Sequence, residues 1–261
     1  MLLNFQRKSP DLSVQAPSLI ILHGLLGSLE NWGAISTALA NQFDVITADL
    51  RNHGRSGHST TMNYQAMAED VLELMDHLEL SSAHLLGHSM GGKVAMQLAH
   101  QAPERIQRLI LVDIAPVAYP AQHENVFAGL SAINLSQLQS RQEADLQLQA
   151  FVPEAGVRAF LLKNLAREGK EFFWRMNLEA LKNHYTEIAA APAGPWEFPQ
   201  PTLFIKGECS DYLIPEYQAE ILRRFSHASF KVIAGAGHWP HAEKPQVFLG
   251  LVERFLKAYQ A

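Results

Sequence analysis

Cysteine is nearly absent from this sequence, which has only Cys209 among its 261 residues. A single cysteine cannot form an intrachain disulfide. The sequence also lacks any apolar run close to the ~20 residues of a membrane span. Its first residues lack the basic and apolar stretches of a signal peptide. We therefore expect a soluble cytoplasmic protein that folds without disulfides.

An excess of basic residues is also missing. Lys and Arg number 21 against 26 Asp and Glu, which gives a formal net charge of −5. Because no cluster of basic residues marks a surface for nucleic acid or an anionic membrane, we expect neither as a partner. The length and the 48% hydrophobic content suit one large α/β domain with room for an insertion. The sequence does not indicate an oligomeric state.

The stretch from His84 to Gly92 is the one around which the chain is organised. Residues 87–91 read Gly-His-Ser-Met-Gly, which fits the G-x-S-x-G pattern of a nucleophile elbow, a sharp turn from a strand into a helix with serine at its apex. A side chain at either flanking glycine would clash in such a turn. Ser89 is therefore predicted to be a nucleophile next to a helix N-terminus, where backbone N–H groups favour negative charge.

Short apolar runs alternate with helical patterns through most of the chain, as in an open α/β sheet. Strands are predicted at residues 2–6, 18–22, 43–48, 83–86, 109–112, 202–207 and 229–233. Helices are predicted at residues 31–41, 64–80, 93–101, 215–225 and 243–258. This alternation predicts an α/β fold with a mostly parallel central sheet flanked by helices.

Residues 117–200 interrupt the alternation. They show helical patterns near residues 136–151, 154–167 and 178–190, and we interpret them as an inserted helical cap, called the cap segment below. The core would consist of residues 1–116 and 201–261. Six aromatic residues of the cap segment are candidates for lining a substrate cavity, although we expect most of them to form the segment's own core: Phe127, Phe160, Phe172, Phe173, Trp174 and Tyr185.

The loop at residues 23–27, His-Gly-Leu-Leu-Gly, follows a predicted strand. It therefore lies at the carboxyl edge, where open α/β sheets carry their sites. In hydrolases with a nucleophile elbow, this loop supplies one backbone N–H of the oxyanion hole, and the residue after the serine supplies the other. Leu25 and Met90 are the residues predicted to provide these N–H groups.

His238 is the histidine predicted to accept the serine proton. It lies in a glycine-flanked loop after the last strand, from which its ring can reach Ser89. His241 follows three residues later, but no third ligand stands nearby, so we expect no metal site and no cofactor. His53, in an earlier polar loop, is interpreted as part of a structural turn and not as a base.

The acid that orients the histidine has two candidates. The common position is three residues after the glycine that ends the strand at 202–207, but here Ser210 holds that position and Asp211 comes one residue late. Asp113 is the alternative, at the end of the strand at 109–112. A buried carboxylate there requires a partner, which a histidine would supply.

These motifs together resemble those of the YbfF-type bacterial esterases of the α/β-hydrolase superfamily, which are related to the ABHD11-like proteins. The resemblance covers nearly the whole chain. It is carried by residues 23–28 (HGLLGS), 49–56 (DLRNHGRS), 87–93 (GHSMGGK), 113–116 (DIAP) and 235–239 (GAGHW). It implies the α/β-hydrolase fold with a cap, Asp113 as the acid, and Ser210 as a hydroxyl that assists near the histidine. The chain departs from the pattern at Asp211, where similar proteins often carry proline.

The predicted function is that of a serine hydrolase. It would cleave small-molecule carboxylic esters through a Ser-His-Asp triad and an acyl-enzyme. The resemblance suggests short or medium acyl chains, and acyl thioesters stay open as substrates. Two alternatives remain, since one fold carries many reactions. One is another enzyme of the fold, such as a C–C bond hydrolase or a menaquinone-pathway lyase. The other is a non-catalytic ligand receptor, which the complete set of candidate residues disfavours.

Overall fold

A seven-stranded, mostly parallel sheet runs through the molecule. The computed structural model describes residues 1–10 and 16–257. Strands in these ranges are β1 (Phe5–Lys8), β2 (Ser18–Leu22), β3 (Asp44–Ala48), β4 (Ala83–His88), β5 (Ile106–Val112), β6 (Leu165–Glu168), β7 (Glu171–Trp174), β8 (Thr202–Gly207) and β9 (Ala228–Ile233). The strand order of the large sheet is β1-β3-β2-β4-β5-β8-β9, and β6 with β7 forms a separate hairpin.

The large sheet confirms the predicted fold class. β1 pairs antiparallel with β3, whereas the other neighbouring strands pair in parallel. The carboxyl ends of β2, β4, β5 and β8 consequently meet at one edge, where the candidate site residues follow them. The predicted strands at 18–22 and 202–207 coincide with β2 and β8, whereas the first strand begins later than predicted, at Phe5.

Helices cover both faces of the sheet. In the described ranges they are α1 (Gly33–Leu39), α2 (Tyr64–His77), α3 (Met90–Gln101), α4 (Glu124–Ala132), α5 (Arg141–Gln149), α6 (Ala155–Leu161), α7 (Leu178–Asn183), α8 (Tyr185–Ala189), α9 (Gln218–Arg224), α10 (Pro240–Glu243) and α11 (Pro245–Lys257). The alternation of side chains along β2 explains the two layers, because Leu19 and Ile21 pack with α1 and α11 while Ile20 and Leu22 pack with α2 and α3.

The predicted closing helix at 243–258 corresponds to α11, and a separate short helix, α10, precedes it. α10 ends at Glu243 and α11 begins at Pro245. Proline lacks a backbone N–H and disfavours helical geometry in the residue before it, so the break falls at Lys244. The predicted last residue of this helix, Ala258, lies outside the described residues.

The cap segment, between β5 and β8, is mainly helical. It contains α4 to α8, and the predicted helix at 136–151 is the shorter α5, which begins after Ser140. The Ser140 side chain accepts a hydrogen bond from the backbone N–H of Glu143, and this cap fixes the start of the helix. α4 was not predicted from the sequence.

The prediction of one helix over residues 154–167 is wrong beyond Asn164. α6 ends at Leu161, a 3-10 turn follows at Leu162–Asn164, and β6 and β7 then form an antiparallel hairpin. Gly169 in the connection has a φ of 58°, which glycine adopts readily. Along β7, exposed Glu171 and Phe173 alternate with half-buried Phe172 and Trp174. The sequence of β7, Glu-Phe-Phe-Trp, does not show this alternation, so it gave no signal for a strand.

Candidate active site

Ser89 stands at the turn between β4 and α3 with φ 52° and ψ −119°. This conformation is costly for a residue with a side chain and is found where the surroundings enforce it. An added Cβ would come 2.3 Å from the carbonyl oxygen of Gly91 at Gly87, and 2.5 Å from that of His23 at Gly91. The two glycines are required by this close approach of backbones, as the sequence motif predicted.

Ser89, His238 and Asp113 form a continuous hydrogen-bonded chain. Ser89 Oγ lies 3.0 Å from His238 Nε2, and His238 Nδ1 lies 2.7 Å from Asp113 Oδ2. Asp113 is fully buried. With a carboxylate accepting from Nδ1–H, the neutral imidazole presents the Nε2 lone pair to the serine hydroxyl. The arrangement can remove the proton of Ser89 and hold the resulting imidazolium.

Ser210 joins the same carboxylate, and Asp211 does not. The Ser210 hydroxyl donates to Asp113 Oδ2, and the backbone N–H of Gly207 donates to Asp113 Oδ1 at 3.1 Å. Asp211 is exposed to solvent. Of the two acid candidates, the structure thus brings Asp113 to His238.

Leu25 and Met90 lie where the sequence predicts the two oxyanion donors. Both line the cavity that contains Ser89. Met90 is the first residue of α3, a position whose N–H has no partner within the helix. In the loop after β2, the N–H of Leu26 donates to His53 Nε2 at 3.1 Å. This bond holds the loop that carries Leu25.

His53 and His23 are neutral structural residues. His53 Nδ1 bonds the carbonyl of Arg51 at 2.9 Å, and His23 Nδ1 bonds that of Gly24 at 2.8 Å. Each ring accepts a backbone N–H at its other nitrogen, and burial lowers the pKa of His23 to about 4 and that of His53 to about 3. The interpretation of His53 as part of a structural turn agrees with these contacts.

His88 and His241 lie behind the triad, and sequence reasoning assigned no role to His88. His88 Nε2 donates to the backbone carbonyl of His238 at 2.7 Å, and the ring of His241 stacks on Trp32 at 4.2 Å. Burial holds the pKa of His88 well below its usual value and lowers that of His241 to about 3. Within the described residues, no group of three His, Cys, Asp or Glu side chains is placed to hold a metal ion.

A cavity that opens to solvent lies over Ser89. The cap segment contributes Phe160 and Tyr185 to its wall, so two of the six candidate aromatics lie there. Phe127 is instead buried in the core, and Phe173 is exposed. Four of the six aromatics thus lie away from the cavity.

Lys93 is a second cavity residue without a role assigned from the sequence. Its side chain is 1% exposed, and Nζ donates to the carbonyls of Ala189 and Ala190 at 2.9 and 2.6 Å. Burial lowers its pKa to about 7. The residue ties the end of α8 to α3 next to the nucleophile. Its position four residues after Ser89, in the first turn of α3, was the available signal.

The sheet, the turn at Ser89 and the hydrogen-bonded chain of Ser89, His238 and Asp113 are those of an α/β-hydrolase active site. A family model described as "alpha/beta hydrolase fold" matches residues 17–245, and the chain belongs to this family. No helix in the described ranges has both the length and the apolar character needed to cross a membrane.

Individual relatives are similar over nearly the whole chain. The chain is 39% identical over 258 residues to "Esterase YbfF" of Escherichia coli K12, which covers 98% of this chain and 99% of that protein. It is 42% identical over 248 residues to "sn-1-specific diacylglycerol lipase ABHD11" of Mus musculus, covering 92% and 81% respectively. A solved structure described as "Marine microorganism esterase" superposes with a TM-score of 0.94 at 36% identity, covering 98% of this chain and 99% of that one.

Proposed function

We propose that this chain hydrolyses carboxylic esters through an acyl-enzyme on Ser89, with His238 as the general base and Asp113 as the carboxylate that orients it. The chain is a carboxylic ester hydrolase, a class supported by relatives that carry the names esterase and lipase. The observation that carries the mechanism is the aligned chain of contacts from Ser89 Oγ through His238 to buried Asp113, at 3.0 and 2.7 Å.

In the first half of the reaction, His238 Nε2 takes the hydroxyl proton as Ser89 Oγ attacks the ester carbonyl carbon. The carbonyl oxygen becomes an oxyanion held by the N–H groups of Leu25 and Met90. Loss of one such donor typically costs about 10²–10³ in rate. The tetrahedral intermediate collapses when His238 gives its Nε2 proton to the leaving alcohol oxygen, and the acyl group stays on Ser89.

In the second half, His238 Nε2 takes a proton from a water molecule whose oxygen attacks the acyl carbon. The bond between the acyl carbon and Ser89 Oγ then breaks, Ser89 Oγ takes the proton back from His238, and the carboxylic acid leaves. Asp113 keeps the imidazole in the Nδ1–H tautomer and stabilises the imidazolium in both halves. Ser210 acts through Asp113, since its hydroxyl satisfies the carboxylate oxygen that faces the histidine. This makes Ser210 a positioning residue.

The acyl group is proposed to be short or medium in length, and the cavity over Ser89, lined in part by Phe160 and Tyr185, would receive it. Acyl thioesters are a second class that the same chemistry serves. No contact in the site specifically favours C–C bond hydrolysis, a lyase reaction or a receptor role. Location in the cytoplasm stays a prediction from the sequence.

The test is a panel of p-nitrophenyl esters from acetyl to palmitoyl, assayed with wild type and Ser89→Ala in parallel. We expect turnover that is greatest at a short or medium chain and is lost in the variant, whose thermal unfolding midpoint stays near that of wild type. A folded wild type that cleaves none of these esters, or a variant that keeps substantial turnover, would overturn the proposal.

A further inference from the structure

A second cleft adjoins the cavity over Ser89 and has no role in the mechanism above. It is open to solvent. One wall is α6 of the cap segment, with Gly156, Val157 and Ala159, and Glu154 and Lys163 also line the cleft. The opposite wall is the turn after the catalytic histidine, with Trp239 and Ala242. The cleft thus lies between the cap segment and the residues that follow His238.

The cleft and the cavity share a boundary. Asn31, Phe160, Trp239 and His241 line both spaces. The rings of Phe160 and Trp239 contact each other at this boundary in a tilted arrangement, with centroids 5.7 Å apart, and the ring of Trp239 lies 5.6 Å from that of His238. A molecule bound over Ser89 that extends into the cleft would pass beside this ring pair.

The chemistry of ester cleavage determines which half of the substrate extends there. His238 must deliver its proton to the leaving alcohol oxygen, so the alcohol half lies on the side of the His238 ring. The cleft wall formed by Trp239, His241 and Ala242 comes from the residues directly after His238. Lys93 and Ile188 line a part of the main cavity that the cleft does not share.

The wall next to His238 is fixed in place. Glu243 accepts hydrogen bonds from the backbone N–H groups of Gly237 and Trp239, at 2.7 and 3.2 Å. These bonds tie the end of α10 to the loop that carries the catalytic histidine. A rigid wall can distinguish alcohols by size without a rearrangement of the triad.

From these contacts we propose that the cleft between α6 and the Trp239–Glu243 turn is the alcohol subsite, and that the protein acts on esters with an extended apolar alcohol group. The inference rests on the ester hydrolysis proposed above. Its physical basis is the burial of apolar chain, since each methylene removed from water contributes about 0.8 kcal/mol, close to a fourfold gain in affinity.

The experiment compares two matched series of esters by pH-stat titration of the released acid. The alcohol series runs from methyl to octyl butyrate, and the acyl series runs from methyl acetate to methyl decanoate. Gly156→Trp and Ala159→Trp, both at exposed positions of α6, fill the cleft. Gly250→Trp in α11 is the control, because Gly156 and Gly250 are both exposed helical glycines at which an added Cβ meets no atom within 4 Å.

We expect kcat/KM of the wild type to rise along the alcohol series. The α6 variants should lose about tenfold or more on octyl butyrate, while methyl butyrate and the acyl series stay unchanged. Gly250→Trp should behave as wild type. A loss confined to long acyl chains, or equal values for all variants on octyl butyrate, would overturn the alcohol subsite. A wild type that cleaves no ester, methyl butyrate included, would instead contradict the proposed function itself.

Discussion

Asp113 Oδ2 lies 2.7 Å from His238 Nδ1, although the two residues stand 125 positions apart. Asp113 follows β5, His238 follows β9, and β8 lies between these strands. The backbone N–H of Gly207, at the end of β8, also donates to Asp113 Oδ1. The carboxylate therefore lies against the end of this intervening strand. Asp113 adopts a φ of 51°, which is uncommon for a residue with a side chain. Its hydrogen bonds with His238 and Gly207 stabilise this conformation.

The first prediction concerns the identity of the acid. Asp113→Asn should lower kcat by about 10⁴, because an amide no longer stabilises the Nδ1–H tautomer and the imidazolium. Asp211→Asn is the matched control at an exposed carboxylate and should leave kcat near that of wild type. Steady-state kinetics of the two variants on one p-nitrophenyl ester gives both kcat values. A larger loss of kcat in Asp211→Asn than in Asp113→Asn would assign the acid to Asp211.

The second prediction concerns Ser210, which donates to the same oxygen of Asp113 as His238 does. Ser210→Ala should lower kcat by about tenfold with little change in KM, since a hydrogen bond to a charged group contributes about 1.5–3 kcal/mol. Ser210→Thr keeps the hydroxyl and should recover most of the loss. Full activity of the alanine variant across the pH range would show that the hydroxyl has no positioning role.

Much of the site was predictable because its signals are local. The glycines around Ser89 and the loop around His238 each identify a residue by its immediate neighbours. The choice between Asp113 and Asp211 was not local, since it depends on how β5 and β8 align at their ends. Residue patterns placed both carboxylates near the same edge, and only the resemblance to a family favoured Asp113.

The fold, like the site, was predictable where its sequence signals are local and not where they depend on distant contacts. Buried central strands such as β2 were predictable as continuous apolar runs, because both faces are covered. The hairpin of β6 and β7 was missed because four-residue strands carry little periodic signal. The contacts of Lys93 with Ala189 and Ala190 could not be predicted either, since they join a core helix to the cap segment across 96 and 97 positions.

The third prediction uses the buried Lys93. Since burial lowers its pKa in the folded state to about 7 from 10.5, the unfolded chain binds more protons between these values, and stability rises with pH across this window. The slope from this one group is at most about 1.4 kcal/mol per pH unit. Lys93→Met should remove the rise. Urea unfolding of both proteins at pH 7, 8 and 9 measures the difference, and parallel curves would contradict it.

The fourth prediction concerns His84, a buried residue of β4 distant from the catalytic contacts. Its Nδ1 has no hydrogen-bond partner among the described residues, and burial lowers its pKa to about 4. His84→Leu should raise the free energy of unfolding by about 1 kcal/mol near pH 7. Because the unfolded histidine protonates below about 6.5, the variant should also lose less stability between pH 6.5 and 4. Denaturant titrations in which the variant is less stable than wild type at pH 7 and also at pH 4 would refute this prediction.

The measurement that tests the account most directly is the reaction of the protein with a serine-reactive fluorophosphonate, followed by intact mass and peptide mapping. The account predicts one adduct per chain, located on Ser89, with no adduct on Ser89→Ala and much slower labelling of His238→Ala. An adduct at another residue, or a folded wild type that does not react, would contradict the assignment of Ser89 as an activated nucleophile.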